Sequence, residues 1–257
     1  MIGLFPKMTE KEDEDRFLEP ITLHEVEAVL KGFKKDKSPG LDGWPVEFFL
    51  DFFDLVGEDL VLAVEQAKID GKVPGALNST FLSLIPKCEN PTTFVDFRPI
   101  SLCNLVYKVI SKIVALPLKP LLNRTISAQQ LGFLKDRQIT EPVGITQEIL
   151  HSIKTKNSNV MVLKLDLVKA FDRVNWTFLR LPLLQIGLPL IGVNWIMGCV
   201  TNACFVVLVN GTPFDFFPAS RGIRQGCPLS PLLFILVIES LSRIILDAQL
   251  KERIKGF

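Results

Sequence analysis

The stretch LKLDLVKAFDRV, residues 163–174, decides how this chain is read. Val160 to Leu165 is an apolar run broken only by Lys164, a composition that suits a buried strand, and Asp166 stands at its carboxyl end. From Leu167 to Val174 the spacing turns helical, with Ala170, Phe171 and Val174 on one side. A carboxylate at the exit of a buried strand is costly unless something pairs with it. A divalent cation would pair with it well, and the carboxylate could then serve phosphoryl chemistry. One carboxylate does not hold two metals, so its partners have to come from elsewhere in the chain.

The remaining sequence bounds the setting. At 257 residues, 48% hydrophobic and 22% charged, the chain suits one large domain or two closely packed subdomains and is not disordered. A net charge of +1 neither requires nor excludes a nucleic-acid partner, so local patches matter more than the sum. Cys88, Cys103, Cys199, Cys204 and Cys227 form no C-x-x-C pair, and neither His24 nor His151 lies near one of them. That pattern reads as buried thiols in a reducing, intracellular compartment, with no disulfide-linked partner and no structural zinc. The acidic N-terminus has no apolar core and is no secretory signal. Leu181 to Val200 is uncharged and long enough to cross a membrane, but Pro182, Gly187, Pro189 and Gly192 favour two short buried segments joined by a turn at 187–189.

Local signals place the other elements. Thr22 with Glu25 forms a capping box for a helix through Phe33, and KKDKSPGLDGWP follows as a basic loop leading to a phenylalanine-rich helix near Pro45. Thr80 to Ile85 reads as a strand. Asn104 to Leu116 reads as a helix stopped by Pro117, and Ser127 with Gln130 gives a second capping box. A helix opens at Thr140 and runs to about Lys154. Asn210–Gly211, between two apolar runs, signals a hairpin. Pro231, after Ser230, opens a long helix behind the loop RGIRQGCP. Helices interleaved with a few strands point to an α+β fold.

Taken singly, the polar segments are ambiguous. Lys34, Lys35 and Lys37 sit in a loop that is either a solvated turn or a phosphate-backbone contact. Lys87 and Arg98 occupy loop positions beside apolar strands. Arg98 either bridges to Asp96 or Glu89 or clamps a phosphate. RGIRQG is either a tight turn or an anion- or base-pair-facing loop. Asp172 is either a second ligand or a local cap.

Their order is more specific. KSPGLDGWPVEFF, LIPK, FRPISLCNLVYKVISKI, QLGFLKDRQI, LKLDLVKAFDRV, the Asn-Gly hairpin and RGIRQGCPLSPLLF together resemble the reverse transcriptases of non-LTR (LINE-type) retrotransposons, those of plants most nearly, across about Leu23 to Leu246. The resemblance to group II intron reverse transcriptases is weaker. The LINE-type resemblance implies a right-handed polymerase fold: a polar lead-in at 1–20, an N-terminal extension and fingers at 21–158, and a partial palm at 159–257 without a thumb. It implies RNA-templated DNA synthesis from deoxynucleoside triphosphates on a DNA primer with Mg²⁺. Asp166 matches the first catalytic aspartate, and Leu167 the residue offering its carbonyl to the same metal. Phe171 matches the steric gate, Lys169 and Ala170 the amides facing the triphosphate, and Lys87 and Arg98 the fingers cations. Gln225 and Gly226 match the loop lining the nascent base pair, with Lys34, Lys35, Lys37 and Arg224 expected on nucleic acid.

Leu41 stands where the family usually has proline, and Asp136 where it usually has glycine. More consequentially, the family's next palm motif carries two adjacent aspartates, and this sequence has no Asp-Asp pair. The expectation is therefore a domain that ends before that motif, is inactive as an isolated chain, and exposes a strand edge and apolar surface. The alternative is a residual RNA-binding module or a non-functional relic.

Overall fold

A computed structural model describes residues 3–134, 137, 140–157, 162–209 and 212–254. In chain order its elements are α1 (Lys11–Leu18), α2 (Leu23–Lys31), α3 (Val46–Asp51), α4 (Phe53–Asp70), α5 (Gly75–Asn78), β1 (Ser79–Pro86), β2 (Phe97–Cys103), α6 (Leu105–Thr125), α7 (Thr140–Thr155), α8 (Trp176–Gln185), α9 (Leu190–Val200), β3 (Cys204–Val209), β4 (Thr212–Pro213), β5 (Phe217–Pro218) and α10 (Ser230–Leu250). The fold is mixed α+β with a small mixed sheet.

The core is helical and centred on α6, whose Ile110, Val114, Leu118, Leu121 and Leu122 are fully buried. Packed around it are α1, α2, α4, α9 and α10. The helix runs through Pro117 and Pro120, so the expected stop at Pro117 is corrected. A proline removes one backbone hydrogen bond and kinks the helix, but burial of Leu118, Leu121 and Leu122 outweighs that loss. At the start of α2 the capping box forms as read. Glu25 N–H donates to Thr22 Oγ1 at 3.2 Å and Thr22 N–H to Glu25 Oε2 at 2.9 Å. The Ser127–Gln130 capping box does not start a helix; that segment is a turn, and Ser127 donates from both N–H and Oγ to the buried Glu239 carboxylate of α10.

In the sheet, β1 lies between β2, antiparallel, and β3, parallel, with β4 and β5 antiparallel to β3. β2 makes Arg98 a strand residue opposite Ile85, where a loop position was expected. Pro99 is tolerated there because β2 is an edge strand. The uncharged stretch ahead of the hairpin forms α8 and α9, joined by a turn in which Gly187 takes φ +98°. Among the described residues no helix is long and apolar enough to cross a membrane. β3 and β4 pair as the hairpin reading predicts, through Val209 with Thr212 and Leu208 with Pro213. Asn210 and Gly211 themselves lie outside the described residues, as does Asp136.

The segment around Asp166 departs most from its expected strand-and-helix form. Residues 162–167 form no strand, and Leu163 and Leu165 are 73% and 62% exposed. Val160 and Met161 lie outside the described residues. A strand needs a neighbour to satisfy its N–H and C=O groups, and no described strand pairs with this segment. The helix expected from Leu167 contracts to a single 3₁₀ turn at Phe171–Arg173. Backbone carbonyls that would continue it are taken by the loop ahead of α10: Ile223 N–H donates to Phe171 O at 3.0 Å and Gly222 N–H to Val174 O at 2.7 Å.

Candidate functional site

Four of the residues singled out in the sequence meet at one cavity of about 270 Å³, lined by Lys87, Arg98, Lys169, Gln225 and, in addition, Asp172. Each arrives by a different route. Lys87 follows the end of β1, and its N–H donates to Asp96 O and its Nζ to Val95 O, both at 2.7 Å. Arg98 comes from the facing strand. It forms no bridge to Asp96, because that carboxylate already accepts from Thr92 N–H, Thr93 N–H and Thr93 Oγ1. The two Thr–backbone bonds hold the Asp96 carboxyl below its ordinary range. Lys169 enters from the 168–170 turn with φ +51°, a left-handed conformation uncommon outside glycine. Gln225 Nε2 donates to Asp172 Oδ1 at 3.3 Å. Three cations facing one carboxylate give the cavity a positive excess, which suits a phosphate-bearing ligand.

Asp166, Leu167 and Ala170 belong to a separate groove of about 520 Å³, floored by Phe234, Val237, Ile238 and Leu241 of α10. Asp166 is exposed, and among the described residues no three His, Cys, Asp or Glu side chains gather as a metal site. A hard cation such as Mg²⁺ takes six oxygen ligands, normally including one or two carboxylates, and a two-metal site needs more than one. Asp166 with the Leu167 carbonyl does not meet that demand. Phe171 is half-buried with its ring stacked on Phe234 at 4.7 Å, and it lines neither space.

The loop before α10 is held by a residue whose role the sequence misplaced. Arg224, expected on nucleic acid, is only 5% exposed. Its guanidinium lies over the Tyr107 ring at 3.9 Å and donates to Asn78 Oδ1, to Thr80 Oγ1 at 3.2 Å and to Cys199 O at 3.0 Å. Burial pushes the Tyr107 hydroxyl and the Cys103 and Cys199 thiols up, so they stay neutral beside it. No carboxylate pairs with Arg224 among the described residues; carbonyls, a hydroxyl and a ring face hold the charge. It thereby ties β1 and the end of α9 to the residue next to Gln225. Ser101 N–H completes the clamp by donating to Gln225 O at 2.8 Å. Gly222, at φ +90°, is required where the loop crosses the 171–173 turn, since a Cβ there would meet Asp172 O at 2.8 Å.

A third space, about 210 Å³, is lined by Lys34, Lys37, Trp44, Lys108, Gly226 and Pro228, among others. Lys35 is exposed and does not line it. The basic loop is seated by Asn104, a buried residue that the sequence shows only as the start of a helix. Its Oδ1 accepts from Leu41 N–H at 2.7 Å and its Nδ2 donates to Ala76 O at 3.2 Å. Any side chain at Gly40 would collide with Asn104. The available signal was an amide residue directly ahead of α6, in the position that usually caps a helix.

Residues 85–254 match the family model described as reverse transcriptase (RNA-dependent DNA polymerase). The chain is 34% identical over 234 residues to the transposon TX1 uncharacterized 149 kDa protein of Xenopus laevis, covering 91% of this chain and 18% of that protein. It is 26% identical over 226 residues to the Pol polyprotein of the type-1 retrotransposable element R2 of Popillia japonica, covering 86% of this chain and 30% of the relative. A 57-residue stretch, 22% of this chain and 47% of the relative, is 49% identical to the uncharacterized mitochondrial protein AtMg01250 of Arabidopsis thaliana. The chain thus spans less than a third of the two retroelement proteins it matches over most of its own length. It belongs to the reverse transcriptase (RNA-dependent DNA polymerase) family, with relatives among non-LTR retrotransposon proteins.

Proposed function

We propose that this chain is the fingers and part of the palm of an RNA-directed DNA polymerase of a plant LINE-type element, with fingers at 21–158 and palm from 159. The observation that carries the reading is the convergence of Lys87, Arg98, Lys169 and Gln225 on one cavity. In this reading the cavity receives the triphosphate of a deoxynucleotide, whose negative charge the three cations neutralise. Gln225 and Gly226 border the nascent base pair. Lys34, Lys35 and Lys37, joined by Lys108, contact template phosphates. Ala170 and Phe171 take part through the backbone amide and ring facing the sugar once substrate is bound. The plant origin is supported by the shared Arabidopsis stretch, and the free cysteines fit an intracellular setting.

Asp166 and Leu167 would contribute to Mg²⁺ binding only together with carboxylates that the described residues do not bring to them. On its own the chain therefore binds primer–template and nucleotide without extending the primer. Two measurements test this. Anisotropy with a labelled RNA–DNA primer–template should show salt-dependent binding, and photocrosslinking of a deoxynucleotide should weaken about tenfold in Lys87→Ala or Arg98→Ala. No binding at low salt would leave only the relic reading. Primer extension with Mg²⁺ that disappears in Asp166→Ala would overturn the binding-only reading and restore a working polymerase.

A further inference from the structure

The charges of this chain are sorted. Residues 9–30 and 51–70 hold fourteen Asp and Glu against three Lys and Arg, half of all its acidic residues. The rest of the chain is left with an excess of base, including the lysines and arginines of the cavities above. These two segments form α1, α2 and α4, which share one side of the molecule. The buried Lys68 of α4 donates to Leu18 O and Glu19 O, and Ile21 N–H donates to Glu65 of α4.

On that side α4 presents an apolar stripe. Leu55, Leu62 and Ile69 recur every seven residues and are 76%, 66% and 66% exposed. Seven residues fall about 20° short of two full turns of an α-helix, so the three lie almost in line over about 21 Å. Single exposed leucines are ordinary, but three in register along four turns are not. Around them Asp54, Glu58, Asp59, Gln66 and Asp70 are exposed, and no exposed Lys or Arg lies on α4. The helix core does not use the stripe: Leu60, Val64 and Ala67 are the buried positions.

We propose that this face docks a basic amphipathic helix of a protein partner. The stripe supplies the heptad contacts of a helix pair, and the acidic flanks select Lys and Arg at the positions beside the partner's seam. The charge decides against the other occupants. A nucleic acid and an anionic membrane surface would both be repelled, and a second copy docked through the same face would oppose acid to acid. The inference does not depend on polymerase activity.

The test uses the full chain and a synthetic helix of about three heptads with leucine at the seam and Lys or Arg beside it. A second peptide of equal charge has serine at the seam. Fluorescence anisotropy should show saturable binding of the leucine peptide that weakens with salt. Leu55→Ser/Leu62→Ser should weaken it about tenfold or more without lowering the melting temperature. Glu58→Lys/Asp59→Lys should weaken it and flatten the salt dependence. Equal binding of the serine peptide, or undiminished binding by the leucine-to-serine variant, would overturn the proposal. So would a self-associated chain in sedimentation that Leu62→Ser converts to monomer, since the occupant would then be a second copy.

Discussion

Arg224 and Asp166 are both charged residues next to apolar sequence, and the structure treats them in opposite ways. Around Arg224 the cation is buried, and β1, the end of α9 and Tyr107 of α6 supply its partners. Around Asp166 the carboxylate and its neighbours Leu163, Leu165 and Val168 face solvent. The difference lies in what each group requires. A guanidinium carries its own donors and needs only acceptors already fixed by rigid strands and a helix end. A run of apolar residues becomes a strand only when a second backbone pairs with it, and a metal-binding carboxylate needs further ligands in register. Lys87 and Arg98, long side chains beside and on a formed sheet, stand in between: both are placed without help from the 162–167 segment.

Substitutions can widen or collapse this contrast. The largest effect is expected from Arg224→Met, which leaves Asn78, Thr80 and the Cys199 carbonyl without their donor. It should cost about 3–5 kcal/mol in denaturant unfolding, and a loss below about 1 kcal/mol would show that the hub is not what holds this half together. Leu121→Ala, fully buried near the C-terminal end of α6, should cost about 2–4 kcal/mol through the cavity it leaves, a drop visible in the thermal midpoint. Asn104→Ala should cost about 1–2 kcal/mol and, more tellingly, speed tryptic cleavage at Lys34, Lys35 and Lys37. Unchanged cleavage would mean that the basic loop is seated by other contacts. Thr22→Ala removes a formed cap and should cost about 1 kcal/mol. At the small end, Leu163→Ser with Leu165→Ser should change stability by less than about 0.5 kcal/mol while reducing aggregation measured by light scattering. A large loss there would mean that the segment packs in solution, and the contrast would collapse.

What could be read from the chain follows the same division. Features set by a few adjacent residues were legible: the Thr22–Glu25 cap, the Gly187 turn between α8 and α9, the β3–β4 pairing, and Pro231 at the start of α10. Features set by distant neighbours were not. β2 reads as a loop because Arg98 and Pro99 interrupt it, and only its edge position makes both acceptable. Pro117 reads as a stop because a window of sequence does not show the leucines that α6 buries beyond it. In the site, the family motifs brought Lys87, Arg98, Lys169 and Gln225 forward, and the structure joins them at one cavity. Asp172 reads as either a second ligand or a local cap, and its place at that cavity is not legible locally, because the Gly222 crossing beside it lies fifty residues further along. Arg224 was misplaced because an arginine in a glycine-punctuated loop normally faces water.

The pairing of β1 with β3 has a consequence for how the molecule comes into being. Ser79 to Leu82 align with Cys204 to Val207, parallel strands whose connection, residues 87–203, is nearly half of the chain. During synthesis the β1–β2 hairpin and α6 emerge well before β3 exists, and Arg224 emerges later still. The growing chain must carry an open β1 edge until β3 is available, and the acceptors of Asn78 and Thr80 stay unfilled until Arg224 follows. Contacts this remote in sequence fold slowly and leave the intermediate prone to aggregation. Folding of the sheet is therefore a late event, completed when the loop that borders the cavity closes over it.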